Sequence, residues 1–301
     1  MPLTLEEFGF FSDAPGQVPA HGVIPYRLNT PLYSDGAEKL RFIYLPAGKT
    51  AHADGDGLLQ FPVGSALIKT FAFGEGTARR LIETRVLLHR ADGWVALPYR
   101  WNDAQTEARL ALAGARLDLR TASGGPLSYR IPNKNQCKEC HGLNGAVTPI
   151  GPKARNLSAE FLDGLKAAGR LDAVSSDFAR LPLWEDRSSA PVDQAARAYL
   201  DVNCAHCHQP GATASNSGLD LRWEQRDPHA IGICKRPVAA GRGAGGHEFG
   251  IVPGQPDASI LLHRMESIEP GVAMPELGKA TVDPEGVAAV RQWIAGIEQV
   301  R

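Results

Sequence analysis

The chain has 301 residues with a nearly balanced charge, 32 basic against 33 acidic side chains, and a pI near 6.8. This balance argues against a nucleic-acid or membrane-surface partner, and no apolar run approaches the roughly 18 residues that a membrane span requires. A chain of this length can bury a large core and is expected to divide into two or three domains.

The first part of the chain is predicted to be β-rich. Residues 1–21 are interpreted as an N-terminal tether, and residues 22–130 as a domain of short strands separated by turn signals. Asp92-Gly93 predicts a tight hairpin, and Gly114 predicts a second hairpin between the runs on either side of it. The strand candidates are residues 40–45, 66–73, 81–88, 94–101, 108–112, 115–119 and 127–131.

Three helices are predicted in the second half of the chain. Ser158 is a typical N-cap before a segment with apolar residues at helical spacing. Pro191 opens a second helix, whose apolar stripe includes Tyr199, and Asp283-Pro284 opens a third, whose stripe includes Trp293. Because each stripe must be buried, we expect the second and third helices to cross and pack.

Two short stretches, residues 137–141 and 204–208, have the form Cys-x-x-Cys-His and use four of the five cysteines. This is the attachment signature of c-type haem, in which two thiols add to the haem vinyl groups and the adjacent histidine ligates iron. A four-thiolate zinc site or redox-active cysteine pairs would also use these thiols, but neither explains a histidine directly after each pair. The pattern predicts two covalently attached haem c groups held by Cys137, Cys140, His141, Cys204, Cys207 and His208.

The order of elements around the second motif resembles class I cytochromes c. A helix, the motif, a long loop, a Met-Pro pair and a terminal helix follow one another across residues 190–301. Together with the strands predicted earlier in the chain, this resemblance gives the fold class α+β, an N-terminal antiparallel β domain followed by mostly α-helical cytochrome c-type haem domains. The first haem segment is then residues 131–188, and the second cytochrome c domain is residues 189–301.

The resemblance also implies distal and supporting residues at the haem irons. Met274, followed by Pro275, stands where class I cytochromes place their sulfur ligand, and Met265 is the competitor, interpreted as a core residue. Downstream of the first motif, Gly151-Pro152 resembles a loop whose carbonyl accepts a hydrogen bond from the ligating His141. Pro152 is therefore counted among the cofactor-binding residues.

The distal ligand of the first haem is left open by the sequence. No methionine lies between Cys140 and the second domain. The distal position of this iron is therefore filled by a histidine, a lysine, Met265 from elsewhere or water, or it stays open. His52, His89 and His247 are weak candidates, each more often a surface or packing histidine. His206 is interpreted as an exposed polar residue and Cys234 as a buried thiol.

Most of the chain resembles a family of exported bacterial di-haem c-type cytochromes of largely unassigned function. Residues 26–35, 82–85, 99–102, 196–208 and 274–278 carry this resemblance. A second resemblance, over residues 58–141, is to the β-sheet cytochromes of the c-prime-beta group, which attach haem at the end of an antiparallel sheet and leave its distal face open.

The resemblance to the di-haem family implies one-electron transfer with redox partner proteins, while the charge balance and hydropathy predict no nucleic acid and no membrane span. The alternative is a haem redox enzyme of peroxidase or oxygenase type, in which the second haem feeds an open first haem. His52, His89 and Glu83 are then the candidates for handling protons. Because haem attachment in bacteria takes place outside the cytoplasmic membrane, we expect a periplasmic or otherwise exported protein whose signal peptide has been removed. The oligomeric state is not predicted.

Overall fold

The chain folds into two compact units. The computed structural model describes residues 1–121, 124–172 and 178–298, so the last three residues of the predicted second haem domain lie outside it. Unit 1 comprises Met1–Asn29, Gly36–His141 and Ala146–Arg180, and unit 2 comprises Thr30–Asp35, Gly142–Gly145 and Leu181–Arg301. The first Cys-x-x-Cys-His motif therefore belongs to the same unit as the β-rich segment, whereas the sequence predicts a separate segment, 131–188.

The strands of the described residues are short, apart from four in the middle of unit 1. In chain order they are β1 Phe11–Asp13, β2 Val18–Pro19, β3 Val23–Tyr26, β4 Glu38–Tyr44, β5 Ala51–His52, β6 Ala66–Phe73, β7 Arg80–Arg90, β8 Gly93–Trp101, β9 Ala108–Leu110, β10 Ala115–Arg120, β11 Pro126–Ile131, β12 Gly142–Leu143, β13 Ala146–Val147 and β14 Leu171–Asp172.

The helices are also short. The α-helices are α1 Lys134–His141, α2 Ala159–Ala167, α3 Val192–Asn203, α4 Pro228–Ile231, α5 Ile260–Glu266 and α6 Pro284–Ala295. Single 3-10 turns or short 3-10 helices occur at Glu6–Phe8, Gly76–Ala78, Ala154–Asn156, Trp184–Ser189, Ser215–Ser217, Gly241–Ala244 and Pro256–Ala258.

The predicted fold class, with mostly α-helical haem domains after an N-terminal β domain, is wrong. The described chain is β-rich, its main element is a six-stranded antiparallel sheet, and helices make up 26% of it. Between α3 and α6 the chain forms mainly turns, because glycines and prolines interrupt it before a helix can lengthen. Helix α4, for example, has four residues and ends at Gly232 in the left-handed conformation, with φ of 112°.

The main sheet has the strand order β3-β4-β6-β7-β8-β9. The predicted Asp92-Gly93 hairpin is confirmed: β7 and β8 pair in antiparallel register, and Gly93 takes a φ of 111° that suits glycine in a tight turn. Side chains alternate between the two faces, so Phe42 and Ile68 lie in one core while their neighbours Ile43 and Leu67 lie in another. Helix α2 contributes to the second core.

The N-cap of α2 is also confirmed, because the Ser158 hydroxyl accepts a hydrogen bond from the Phe161 amide at 3.1 Å. The predicted tether, residues 1–21, is instead packed. Leu5 and Phe10 are buried in the core on the first face of the sheet, and the Leu5 amide donates to the Ala108 carbonyl. Burial of these apolar side chains stabilises the packed arrangement.

The hairpin predicted around Gly114 does not form. Strand β9 pairs with β8, and β10 pairs with β11, so the two runs beside Gly114 belong to different sheets. Gly114 has a φ of 70°, and a Cβ at this position would lie 2.5 Å from the Ile131 carbonyl oxygen. The glycine therefore allows a close backbone approach to the end of β11 rather than a two-strand turn.

In unit 2, the predicted packing of the second and third helices is confirmed. Tyr199 of α3 and Trp293 of α6 lie in one buried cluster, and the Asp283 carboxylate caps α6 by accepting from the Gly286 amide at 3.1 Å. Gly286 lies so close to Tyr199 that a Cβ there would be 2.2 Å from the ring. Over the residues that the structure describes, none of the helices has the length and apolarity to traverse a bilayer.

Candidate functional site

The first Cys-x-x-Cys-His motif occupies the last turns of α1. Asn133 and Gln136 cap this helix reciprocally: the Asn133 side chain accepts from the Gln136 amide at 2.9 Å, and the Gln136 side chain accepts from the Asn133 amide at 3.1 Å. Cys137 and Cys140 are three residues apart on the helix and therefore share a face. All five cysteines are in the described residues, and none forms a disulfide.

The imidazole of His141 is oriented by a backbone carbonyl. Its Nδ1 lies 2.9 Å from the Thr148 oxygen, and since a carbonyl only accepts, Nδ1 carries a hydrogen, so that in the neutral ring the lone pair is on Nε2. The acceptor expected from the Gly151-Pro152 loop is therefore replaced by Thr148. The Pro152 carbonyl accepts from the Leu59 amide at 3.0 Å.

The second motif follows directly from α3. The amides of Cys207 and His208 both donate to the Cys204 carbonyl, at 3.1 and 3.0 Å, so the motif closes a tight turn. Burial raises the pKa of the Cys204 thiol to about 12, so this thiol is protonated at neutral pH.

The imidazole of His208 is held in the same tautomer as that of His141. Its Nδ1 is 3.0 Å from the Ser217 hydroxyl oxygen, and that hydroxyl donates its hydrogen to the Ala214 carbonyl at 2.7 Å. Ser217 therefore accepts from Nδ1, and Nε2 carries the lone pair. Burial lowers the pKa of His208, which favours the neutral, metal-ligating form.

The two candidate sulfur ligands occupy different environments. Met265 is 5% exposed and packs in the core with Leu262 and Trp293, as the sequence predicts. Met274 is only half-buried, on the loop between α5 and α6, and its amide donates to the Arg264 carbonyl at 3.0 Å. Packing thus occupies the Met265 side chain, whereas Met274 lies outside that core cluster.

Lys279 holds the Met274 loop through backbone carbonyls. Its ammonium lies 2.5 Å from the Met265 oxygen, 2.9 Å from the Met274 oxygen, 3.0 Å from the Ser267 oxygen and 3.4 Å from the Arg264 oxygen. One cation therefore ties both ends of the loop together.

Asp35 holds the residues that follow Lys279. Its carboxylate accepts from the amides of Ala280 and Thr281 at 2.6 and 2.9 Å. Sequence reasoning missed both anchors. A lysine five residues after the candidate methionine was the available signal for one, and nothing local pointed to the other.

The candidate histidines of unit 1 have structural partners. His52 is exposed, with Nδ1 2.8 Å from the Asp172 carboxylate. His89 stacks on Trp94 with ring centroids 4.4 Å apart, and its Nδ1 is 2.8 Å from the Phe61 carbonyl oxygen. Within the described residues, no hydrogen bond or ion pair links either of them to the first motif.

The surroundings of three further candidate residues, all in unit 2, differ from or add to what the sequence predicts. Cys234 is exposed rather than buried, because it lies in a turn with a left-handed φ of 53°. His206 is half-buried rather than exposed, since it lies inside the tight turn of the second motif. His247 faces the ring of His263 at 5.4 Å between centroids.

Glu83 is the proton-handling candidate that lies beside the first motif. It is fully buried, receives two hydrogen bonds from Arg85 at 2.8 and 2.5 Å, and accepts from the Tyr129 hydroxyl at 2.7 Å. Burial raises the pKa of the Cys137 thiol, and the charges of Arg85 and Glu83 act on it as well. This buried network was not foreseen as a unit.

The residues of both motifs fit a covalently attached haem. Each motif offers two cysteines outside any disulfide and a histidine whose Nδ1 donates a hydrogen bond, and such a bond fixes the orientation of a metal-binding imidazole. Comparison with known proteins identified no matching family model, no matching curated protein and no matching solved structure.

Proposed function

We propose that the chain binds two haem c groups covalently and carries single electrons between redox partner proteins. Cys137 and Cys140 attach the first haem and Cys204 and Cys207 the second. His141 and His208 are the iron ligands. One observation carries the proposal: in both motifs, the histidine that follows the cysteines donates from Nδ1, so that Nε2 is the nitrogen able to bind iron.

A bound haem supplies reversible one-electron chemistry at iron. The side chains of the protein orient the iron ligands and tune the reduction potential. Thr148 and Ser217 orient the two imidazoles, and burial keeps His208 neutral. Met274 is the proposed distal ligand of the second haem, with its loop fixed by Lys279, and a thioether ligand raises the reduction potential.

The second candidate function is a haem redox enzyme in which the first haem binds a small ligand. It is favoured by the positions of the three methionines, Met1, Met265 and Met274, none of which lies in the stretch from Cys140 to residue 264. Glu83, buried beside Cys137, is the proton-handling residue that this function would use. For either function we propose a location outside the cytoplasmic membrane, where bacterial haem c attachment takes place.

The haem proposal is tested by the mass of the denatured protein after expression with a haem-attachment system. Wild type is expected at the polypeptide mass plus two haems, and each double variant, Cys137→Ala with Cys140→Ala or Cys204→Ala with Cys207→Ala, at one haem. Cys234→Ala is the matched control and should keep both haems. Polypeptide mass alone, with stoichiometric zinc, would contradict the proposal.

Carrier and enzyme are separated by adding carbon monoxide to the reduced protein. A carrier with both irons fully ligated is expected to bind none, and low-temperature electron paramagnetic resonance of the oxidised form should show two low-spin haems. Complete, rapid binding at one haem, with a high-spin signal before reduction, would favour the enzyme.

A further inference from the structure

The main sheet carries a row of three cations on one face. Arg41 of β4 pairs in register with Lys69 of β6, which pairs with Arg85 of β7. Directly cross-strand residues have Cβ atoms about 4.5–5.5 Å apart, and like charges in such positions repel. We call these three residues the cationic row. The cationic row lies on the same face of the sheet as the core residues Ile43 and Leu67.

The row has more positive charge than its neighbours neutralise. Across residues 1–121, 124–172 and 178–298, the carboxylate that pairs with it is Glu83, and this pairs with Arg85. Glu83 is also engaged by the Tyr129 hydroxyl. Arg41 and Lys69 form no ion pair in that part of the chain, so neither of these basic side chains has a carboxylate partner there.

Two polar ends of the row lack a partner. Arg41 is 9% exposed, and its Nη2 is buried with no hydrogen-bond acceptor, although its Nη1 donates to the Lys39 carbonyl at 3.1 Å. The Lys69 ammonium has no hydrogen-bond acceptor within the described chain and lies 5.2 Å from the centre of the Phe71 ring. The Arg85 guanidinium lies over the same ring, at 4.2 Å.

Such an arrangement costs stability in the absence of a counter-charge. A buried ion without a partner destabilises the folded state, so folding alone does not explain a row of this kind. Burial, together with the charges of Arg85 and Arg41, lowers the pKa of Lys69 to about 7. An anion beside Lys69 would reverse this effect and provide the missing acceptors.

The row is adjacent to the first motif. The charges of Arg85 and Lys69 act on the Cys137 thiol, and Cys140 acts on Lys69. Helix α1, which carries these cysteines, packs against β8 of the same sheet. A ligand on the row therefore lies next to the motif that we propose to hold the first haem.

We propose that the cationic row binds an anionic group with two or more oxygens, with Arg41 and Lys69 as donors and Arg85 held in place by Glu83. This goes beyond the proposed function, which assigns no ligand to the sheet. The oxygens have two possible sources, a small free oxyanion or the propionate of a haem on the first motif. Both satisfy the same donors with charge-assisted hydrogen bonds.

The test for a free oxyanion is calorimetric titration of the full-length chain, as purified, with sodium sulfate at constant ionic strength. A saturable isotherm is expected for wild type, and Lys69→Met and Arg41→Met are each expected to weaken it at least tenfold. Lys49→Met, at an exposed position of the same unit, is the matched control and should leave it unchanged. Because this titration does not require haem, it can succeed or fail independently of haem attachment.

The test for a propionate is resonance Raman spectroscopy of the haem-loaded protein. If the propionate occupies the row, sulfate gives no isotherm, and the propionate bending mode of one haem shifts in Lys69→Met but not in Lys49→Met. The proposal is overturned if sulfate does not bind and the propionate modes are also unchanged, or if sulfate binds wild type and both row variants equally. Circular dichroism checks folding, and Lys69→Met, which removes an uncompensated charge, is expected to melt above wild type at low salt.

Discussion

The close approach of α3 and α6 makes Gly286→Ala the sharpest test of the fold of unit 2. A Cβ at position 286 would lie 2.2 Å from Cζ of Tyr199, whereas ordinary contacts begin at 3.4 Å. The ring must therefore withdraw by at least 3.4 − 2.2 = 1.2 Å. It has little room to do so, because Tyr199 is 6% exposed and its ring packs on Trp184 with centroids 5.3 Å apart.

Overpacking of this kind typically costs about 1–3 kcal/mol, while replacing glycine by alanine inside a helix returns up to about 1 kcal/mol. We expect Gly286→Ala to lower the free energy of unfolding by about 1–2 kcal/mol, measured by urea denaturation followed by circular dichroism. The matched control is Gly164→Ala in α2, where a Cβ would have no atom within 4 Å. There the same change should raise stability by up to about 1 kcal/mol.

Equal stabilities for the two variants would refute the reasoning, since it would mean that α6 does not approach Tyr199 so closely. A double-mutant cycle with Tyr199→Leu adds a second criterion. If the ring causes the clash, the alanine at position 286 should cost less in the Tyr199→Leu background than in wild type. A cost that is the same in both backgrounds would place the strain elsewhere.

Four further outcomes are expected. Met274→His should remove the weak sulfur-to-iron band of the oxidised spectrum and lower the potential of one haem, and loss of the band in Met265→Leu instead would transfer the role. Lys279→Met should weaken the same band, because the loop loses its carbonyl contacts, and an unaltered spectrum and potential would show that the loop holds without it. Trp293→Ala should cost about 3–5 kcal/mol by urea denaturation, and an unchanged midpoint would mean that its ring is not buried. Stability should rise with pH from about 7 towards the ordinary lysine pKa, because unfolded Lys69 binds its proton more tightly than folded Lys69, and pH-dependent melting in an anion-poor buffer should show this dependence lost in Lys69→Met.

Local signals were sufficient for several elements of this fold. Gly93 fixes its hairpin because few residues other than glycine adopt the φ of 111° that this position requires. Ser158 caps α2 through an amide only three residues away. The two Cys-x-x-Cys-His motifs are likewise recognised from five consecutive residues each, and the histidine contacts with Thr148 and Ser217 lie within ten residues of them.

Features that depend on distant residues were not predictable in this way. The strand at 115–119 could pair with the preceding strand, β9, or with the following strand, β11. It pairs with β11, which provides a longer ladder than β9. The cationic row joins Arg41, Lys69 and Arg85 only through the register of three strands. The mostly helical expectation for the second haem domain failed because a family-like order of motifs does not specify how the connecting residues fold.

The contact of Asp35 with residues 280 and 281 has a consequence for biosynthesis. This acidic residue and the amides that it binds are 245 and 246 positions apart in the chain. At roughly 5–20 residues per second, the ribosome needs on the order of 10–50 s to make the intervening polypeptide. The segment Thr30–Asp35 is therefore among the first parts of unit 2 to be made. Its partners, residues 280 and 281, are made much later. A fragment beginning at Leu181 would lack Asp35 altogether, so the Met274 loop can be anchored only when one chain contains both Asp35 and residues 280 and 281.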